Sequence, residues 1–207
     1  MKQKSSQENK NKLFIGIFIL IVSIYLSTFL HEFGHLIFAF IFGCKLPYMT
    51  FYLPTPIGGT DCYSPDAFLD NIPNWQNIVI LAIGPIFVFL VGILFLLSLN
   101  LKFVKNSYVL SLMAYFFSFS AIGNGVLQFF SSSDISNLVQ HGFNPWYFYI
   151  LGIIGSLLLL YELFILKNFI KRTEPTTKER TANILTRIWI ILVIFYFGIY
   201  FLLPLLF

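Results

Sequence analysis

Residues 13–42 read LFIGIFILIVSIYLSTFLHEFGHLIFAFIF, an apolar run interrupted by two histidines and one glutamate. A proline-free run of this length predicts one helix of about 45 Å, at about 1.5 Å per residue, against a bilayer hydrocarbon core of roughly 30 Å. The helix must therefore tilt or protrude. Ionisable side chains inside a membrane helix are expensive to keep, and by default they face a polar cavity and serve a function. His31, Glu32 and His35 fall in the second half of the run.

Composition extends that reading to the whole chain. With 57% hydrophobic residues, 11% charged residues and a mean hydropathy of +0.81, the 207-residue sequence belongs with integral membrane proteins. Further apolar stretches at 75–99, 107–130, 145–166 and 188–207 are each long enough to span a bilayer. They lack the short alternating segments of a membrane barrel. The expected fold is all-α with about five transmembrane helices: a basic tail over 1–12, then one polytopic membrane domain over 13–207.

Charge distribution orients the spans. Lys2, Lys4, Lys10 and Lys12 precede the first, Lys102 and Lys105 follow the second, and six basic residues from Lys167 to Arg187 separate the fourth from the fifth. Only Lys45 lies in a connection of the other set. Basic loops stay cytoplasmic, so the tail and N-terminus are expected inside, the C-terminus outside, and the connections 44–74 and 131–144 outside, in a cell membrane. The first run is too long for the core of a cleavable signal and reads as a retained anchor. The net charge of +4 suits anionic lipid beside the 167–187 segment, and Trp75, Trp146 and Tyr147 suit the interface. The bilayer is the partner these features name; no feature points to nucleic acid.

The opening motif can now be read chemically. His31 and His35, four residues apart, share one helical face, and Glu32 lies about 100° round from His31. Two imidazoles so spaced supply half of a tetrahedral zinc site, and the adjacent carboxylate can act as general base: this is the H-E-x-x-H arrangement. The competing role for the three residues is interhelical hydrogen bonding.

Topology sorts the candidates for a third ligand. Asp134, in FFSSSDISN after the third span, is expected in a short polar loop that folds back toward the histidines, its ordinary alternative being a helix N-cap. His141, in VQHGFNP, ranks second. Glu162 lies near the cytoplasmic end of the fourth span and is expected to snorkel toward the basic loop.

Between the first two spans, YMTFYL reads as a short strand with Gly58 and Gly59 as the turn behind it. Its free edge could take an extended peptide by strand addition; the alternative is a loop lying on the interface. Cys44 and Cys62, both expected outside, could form a disulfide pinning this loop to the first helix, or remain thiols.

HEFGH on an early helix, Gly84-Pro85 within AIGPIF in the next, LPYMTFYLPTPIGGT between them and an aspartate after a later span together resemble the site-2 protease family of intramembrane zinc metalloproteases. The similarity runs in order over residues 28–137, and its sharp part is the five residues of HEFGH. The resemblance implies zinc held by His31, His35 and Asp134, with Glu32 as general base and Asn124 as a substrate-positioning amide. It also implies a membrane-associated hairpin after the first helix. Two departures stand out. The third motif lacks its proline and has Ile135 where glycine follows the aspartate, and the charge pattern turns the site outward, whereas many members hold the metal toward the cytoplasm.

The leading function is thus an intramembrane zinc endopeptidase acting on a membrane-anchored protein or peptide. A non-proteolytic metal-binding membrane protein and a small metal or proton transporter are the alternatives. Glu32→Gln separates them, because only the peptidase should keep its metal and lose cleavage.

Overall fold

The opening run folds as a single helix, α1 (Lys2–Ile41), in the computed structural model, which describes residues 2–52, 57–62, 72–130 and 133–173 together with Arg187 and Ile191. Apart from Ile191, the expected fifth span at 188–207 lies outside the described residues. Helix α1 stops at Gly43, whose φ of 105° is open to a residue without Cβ. The Cys44 amide donates to the Ala39 carbonyl and the Gly43 amide to that of Phe40, the paired bonds of a Schellman motif that satisfy carbonyls left over at a helix end.

A two-stranded antiparallel hairpin follows, β1 (Pro47–Tyr52) and β2 (Ile57–Cys62), in register from Pro47 opposite Cys62 to Tyr52 opposite Ile57. Gly58 and Gly59 were expected in the turn; they lie inside β2, opposite Phe51 and Thr50. A packing reason applies at Gly58, where a Cβ would come within 2.8 Å of Glu32 Cγ. The Cys44–Cys62 disulfide, with Cα atoms 5.9 Å apart, joins the open end of the hairpin to the end of α1.

The remaining elements are α2 (Asn74–Ser98), the short α3 (Lys102–Lys105), α4 (Tyr108–Phe130), α5 (Ser133–Gln140) and α6 (Trp146–Thr173). Among the described residues four stretches are long and apolar enough to cross a membrane: Phe14–Ile41, Asn74–Ser98, Tyr108–Gln140 and Trp146–Ile165. Helix α4 is central, packed on α1, α2 and α6, and most of its 23 residues are buried. Small residues permit that approach, as is usual between membrane helices. A Cβ on Gly125 would reach Phe89 Cβ at 2.9 Å, and one on Gly92 would reach Ile122 at 2.8 Å. The outer helices turn Phe14, Phe18, Leu94, Leu157 and Phe164 outward, an apolar exterior suited to lipid. The protein is a multi-pass helical membrane protein with one small sheet.

Glu162 departs from its expected snorkelling position. It is 0% exposed, because it lies two turns beyond Gly155 on the face of α6 that packs against α4. The Ser118 hydroxyl sits between the Glu162 carboxyl and the Gly92 carbonyl, and the Tyr115 hydroxyl donates to the main-chain carbonyl of Glu162 at 2.8 Å. This polar node ties α2, α4 and α6 together.

Candidate metal centre

Four residues of α-helix bring His31 and His35 onto one face, and their Nε2 atoms stand 3.1 Å apart. The third corner comes from α5, whose first turn holds Asp134 with one carboxylate oxygen 3.3 Å from each of those nitrogens. The aspartate was expected in an irregular loop. It lies instead on a short helix anchored by the buried Ile135 and Leu138, which ends at Gly142 in a second Schellman arrangement: the Phe143 amide donates to the Leu138 carbonyl and the Gly142 amide to that of Val139. Both arms of the site therefore rest on capped helices.

The three atoms fit a metal. An ion bound tetrahedrally at about 2.0–2.1 Å keeps its ligand atoms about 3.3–3.4 Å apart, close to the observed triangle. His35 Nδ1 is 2.6 Å from the Ile80 carbonyl; a carbonyl only accepts, so Nδ1 carries the proton and Nε2 of the neutral ring presents a lone pair to the triangle. Two nitrogens and a carboxylate converging in this way find a common partner in a cation. Both histidines are buried, and His31 Nδ1 has no hydrogen-bond partner among the described residues.

Helix α2 shapes the back wall. At Gly84 a Cβ would collide with the His35 ring, and at Gly34 it would meet Gly84 Cα at 3.2 Å. The two glycines thus allow α1 and α2 to close on the site. Pro85 follows at once, without an N–H for the α2 ladder.

Glu32 is buried beside the triangle, one oxygen 3.9 Å from His31 Nε2. The other accepts from the Thr60 hydroxyl of β2 at 2.9 Å. Phe29 stacks on Phe33 and on Phe51 of β1, so apolar rings flank the carboxylate on the hairpin side.

The other candidates lie apart from the triangle. Asn124 is buried on α4, its amide nitrogen 3.5 Å from the Thr28 hydroxyl one turn before His31, and its Oδ1 is unpartnered among the described residues. His141 lies past the end of α5, where its Nε2 is 3.0 Å from the side-chain amide of Asn77 and its carbonyl accepts from Asn74. It links α5 to α2 and stays outside the triangle. Three contributors carried no signal in the sequence: Thr60, Gly58 and the Ile80 carbonyl. Each depends on how separate segments meet, and no residue pattern announces that.

Comparison with known proteins shows a family. The family model described as Peptidase family M50 covers residues 19–201, which takes in every element from the second turn of the membrane run to α6. No curated protein and no solved structure matches the chain.

Proposed function

Because the chain belongs to peptidase family M50, a family of metal-dependent peptidases, we propose that it is an intramembrane zinc endopeptidase that cuts a membrane-anchored protein or peptide. The observation that carries this reading is the triangle of His31 Nε2, His35 Nε2 and the Asp134 carboxylate. In this reading those three residues hold zinc. When bound, zinc polarises the scissile carbonyl and acidifies a water molecule.

The remaining steps belong to the chain. Glu32 takes the proton from the attacking water and returns it to the leaving amine nitrogen; general acid–base catalysis of this kind contributes about 10²–10⁴-fold. The unpartnered Oδ1 of Asn124 accepts from a substrate amide and orients the segment. A helical substrate hides its carbonyls, so it must be presented extended. Both strands lie against α1, and among the described residues β1 pairs with β2 alone, which makes its other edge the candidate for strand addition. The charge asymmetry supports a cytoplasmic N-terminus, an outward C-terminus and a site opening outward in a cell membrane.

The test is zinc content per chain of detergent-purified protein together with cleavage of transmembrane peptides. Near one zinc per chain in the wild type and in Glu32→Gln, with cleavage only in the wild type, supports the peptidase. Zinc retention with equal inactivity of both forms would favour a metal-binding protein that does not cut.

A further inference from the structure

We infer that β2 is a positioning strap for the general base: Thr60 anchors the Glu32 carboxylate, Gly58 makes room for it, and the Cys44–Cys62 disulfide holds the strand in place. The inference rests on the assignment of Glu32 as base and extends the site to a strand that no metal-ligand argument reaches.

Two residues of β2 bear on the Glu32 side chain, and a third ties the strand to the end of α1. The Thr60 hydroxyl lies 2.9 Å from the Glu32 carboxylate and 2.9 Å from the Glu32 main-chain carbonyl. A hydroxyl has one proton to give, and the carboxylate is the stronger acceptor. Two residues earlier, a Cβ at Gly58 would lie 2.8 Å from Glu32 Cγ and 3.3 Å from its Cδ, so any larger residue would displace the carboxylate. Gly58 and Thr60 share one face of β2 because side chains alternate along a strand. Two residues beyond Thr60, on that same face, Cys62 is bonded to Cys44.

Without the strap, Glu32 would have a free choice of rotamers on the surface of α1. A base must sit within hydrogen-bond reach of the proton it takes. Thr60 acts through Glu32, so it is a positioning residue. Val is the informative replacement: it keeps the β-branched shape that suits a strand and removes only the hydroxyl. Ser restores the hydroxyl.

The experiment uses the full chain labelled with ¹³C-glutamate. The infrared carboxyl band of Glu32 is isolated by subtracting the spectrum of Glu32→Gln, and cleavage of a dye-quenched transmembrane peptide and zinc content are followed alongside. Thr60→Val is expected to move the Glu32 band, to lower kcat by about 10–100-fold, the range typical of supporting hydrogen bonds at metal sites, and to leave KM and zinc unchanged. Thr60→Ser should return band and kcat to wild-type values. An unmoved band in Thr60→Val, or an unchanged kcat with the transmembrane peptide, overturns the inference. Wild-type protein that carries zinc and leaves the transmembrane peptide intact counts against the peptidase reading instead; the band then decides the inference alone, a shift keeping Thr60 as the anchor and no shift removing it.

Discussion

His35 Nδ1 lies 2.6 Å from the Ile80 carbonyl, so the tautomer of one candidate ligand is set by α2 and not by the helix that carries it. Ile80 precedes Leu81, the carbonyl that Pro85 leaves without its helical donor. The Gly84-Pro85 pair thus serves the site twice, by opening space for the ring and by loosening the helix turn that orients it.

Gly84→Ala should therefore harm the metal site more than the fold. The added methyl must push the His35 ring aside, at a stability cost of about 1–3 kcal/mol for overpacking. Zinc affinity is expected to fall by at least about 10-fold, the lower bound for disturbing support around a ligand. Thermal unfolding and a competitive zinc chelator would read the two effects separately.

Asp134→Ala should abolish stoichiometric zinc, with a loss of affinity above the roughly 100-fold that a supporting residue can account for. Helix α5 should stay in place through Ile135 and Leu138. His141→Ala, which removes only a link to Asn77, should keep its zinc. Metal analysis of the three purified proteins checks this, and zinc loss in His141→Ala would redraw the site.

Glu32→Gln should retain zinc and lose about 10²–10⁴-fold in turnover. The amide keeps an oxygen that can accept from Thr60 and cannot take up a proton as a carboxylate does. Single-turnover cleavage with matched zinc content is the measurement.

At the buried node, Glu162→Gln should change stability by no more than about 1 kcal/mol, because the amide still reaches Ser118. Glu162→Ala leaves a void and a hydroxyl short of a partner and should cost about 2–4 kcal/mol. Unfolding in mixed detergent would rank the two variants. Zinc content should be unaffected in both.

How far the sequence reached follows from what each feature depends on. His31, Glu32 and His35 were legible because an i, i+4 pair on a helix states its own geometry. Asp134 was legible as a candidate because it follows a span at the end where the histidines lie, yet its helix was not. SSSDIS reads as a loop, yet Ser133–Gln140 is helical, held by the burial of Ile135 and Leu138 against the bundle. Glu162 was misplaced because position along a span says nothing of which face a neighbouring helix covers. Gly58 and Gly59 read as a turn for the same reason. Only the approach of Glu32 explains why a strand there needs a glycine.

The two capped arms of the triangle also set an order of events. His31 and His35 lie on the first long helix, and Asp134 comes after the third. At about 5–20 residues per second, a ribosome needs roughly 5–20 s to pass from one to the other. During that interval the growing chain holds two imidazoles and no third corner. A hydrolase that assembled its centre early would emerge armed among unfolded membrane segments, its own included; here Asp134 is the last of the three corners to be made.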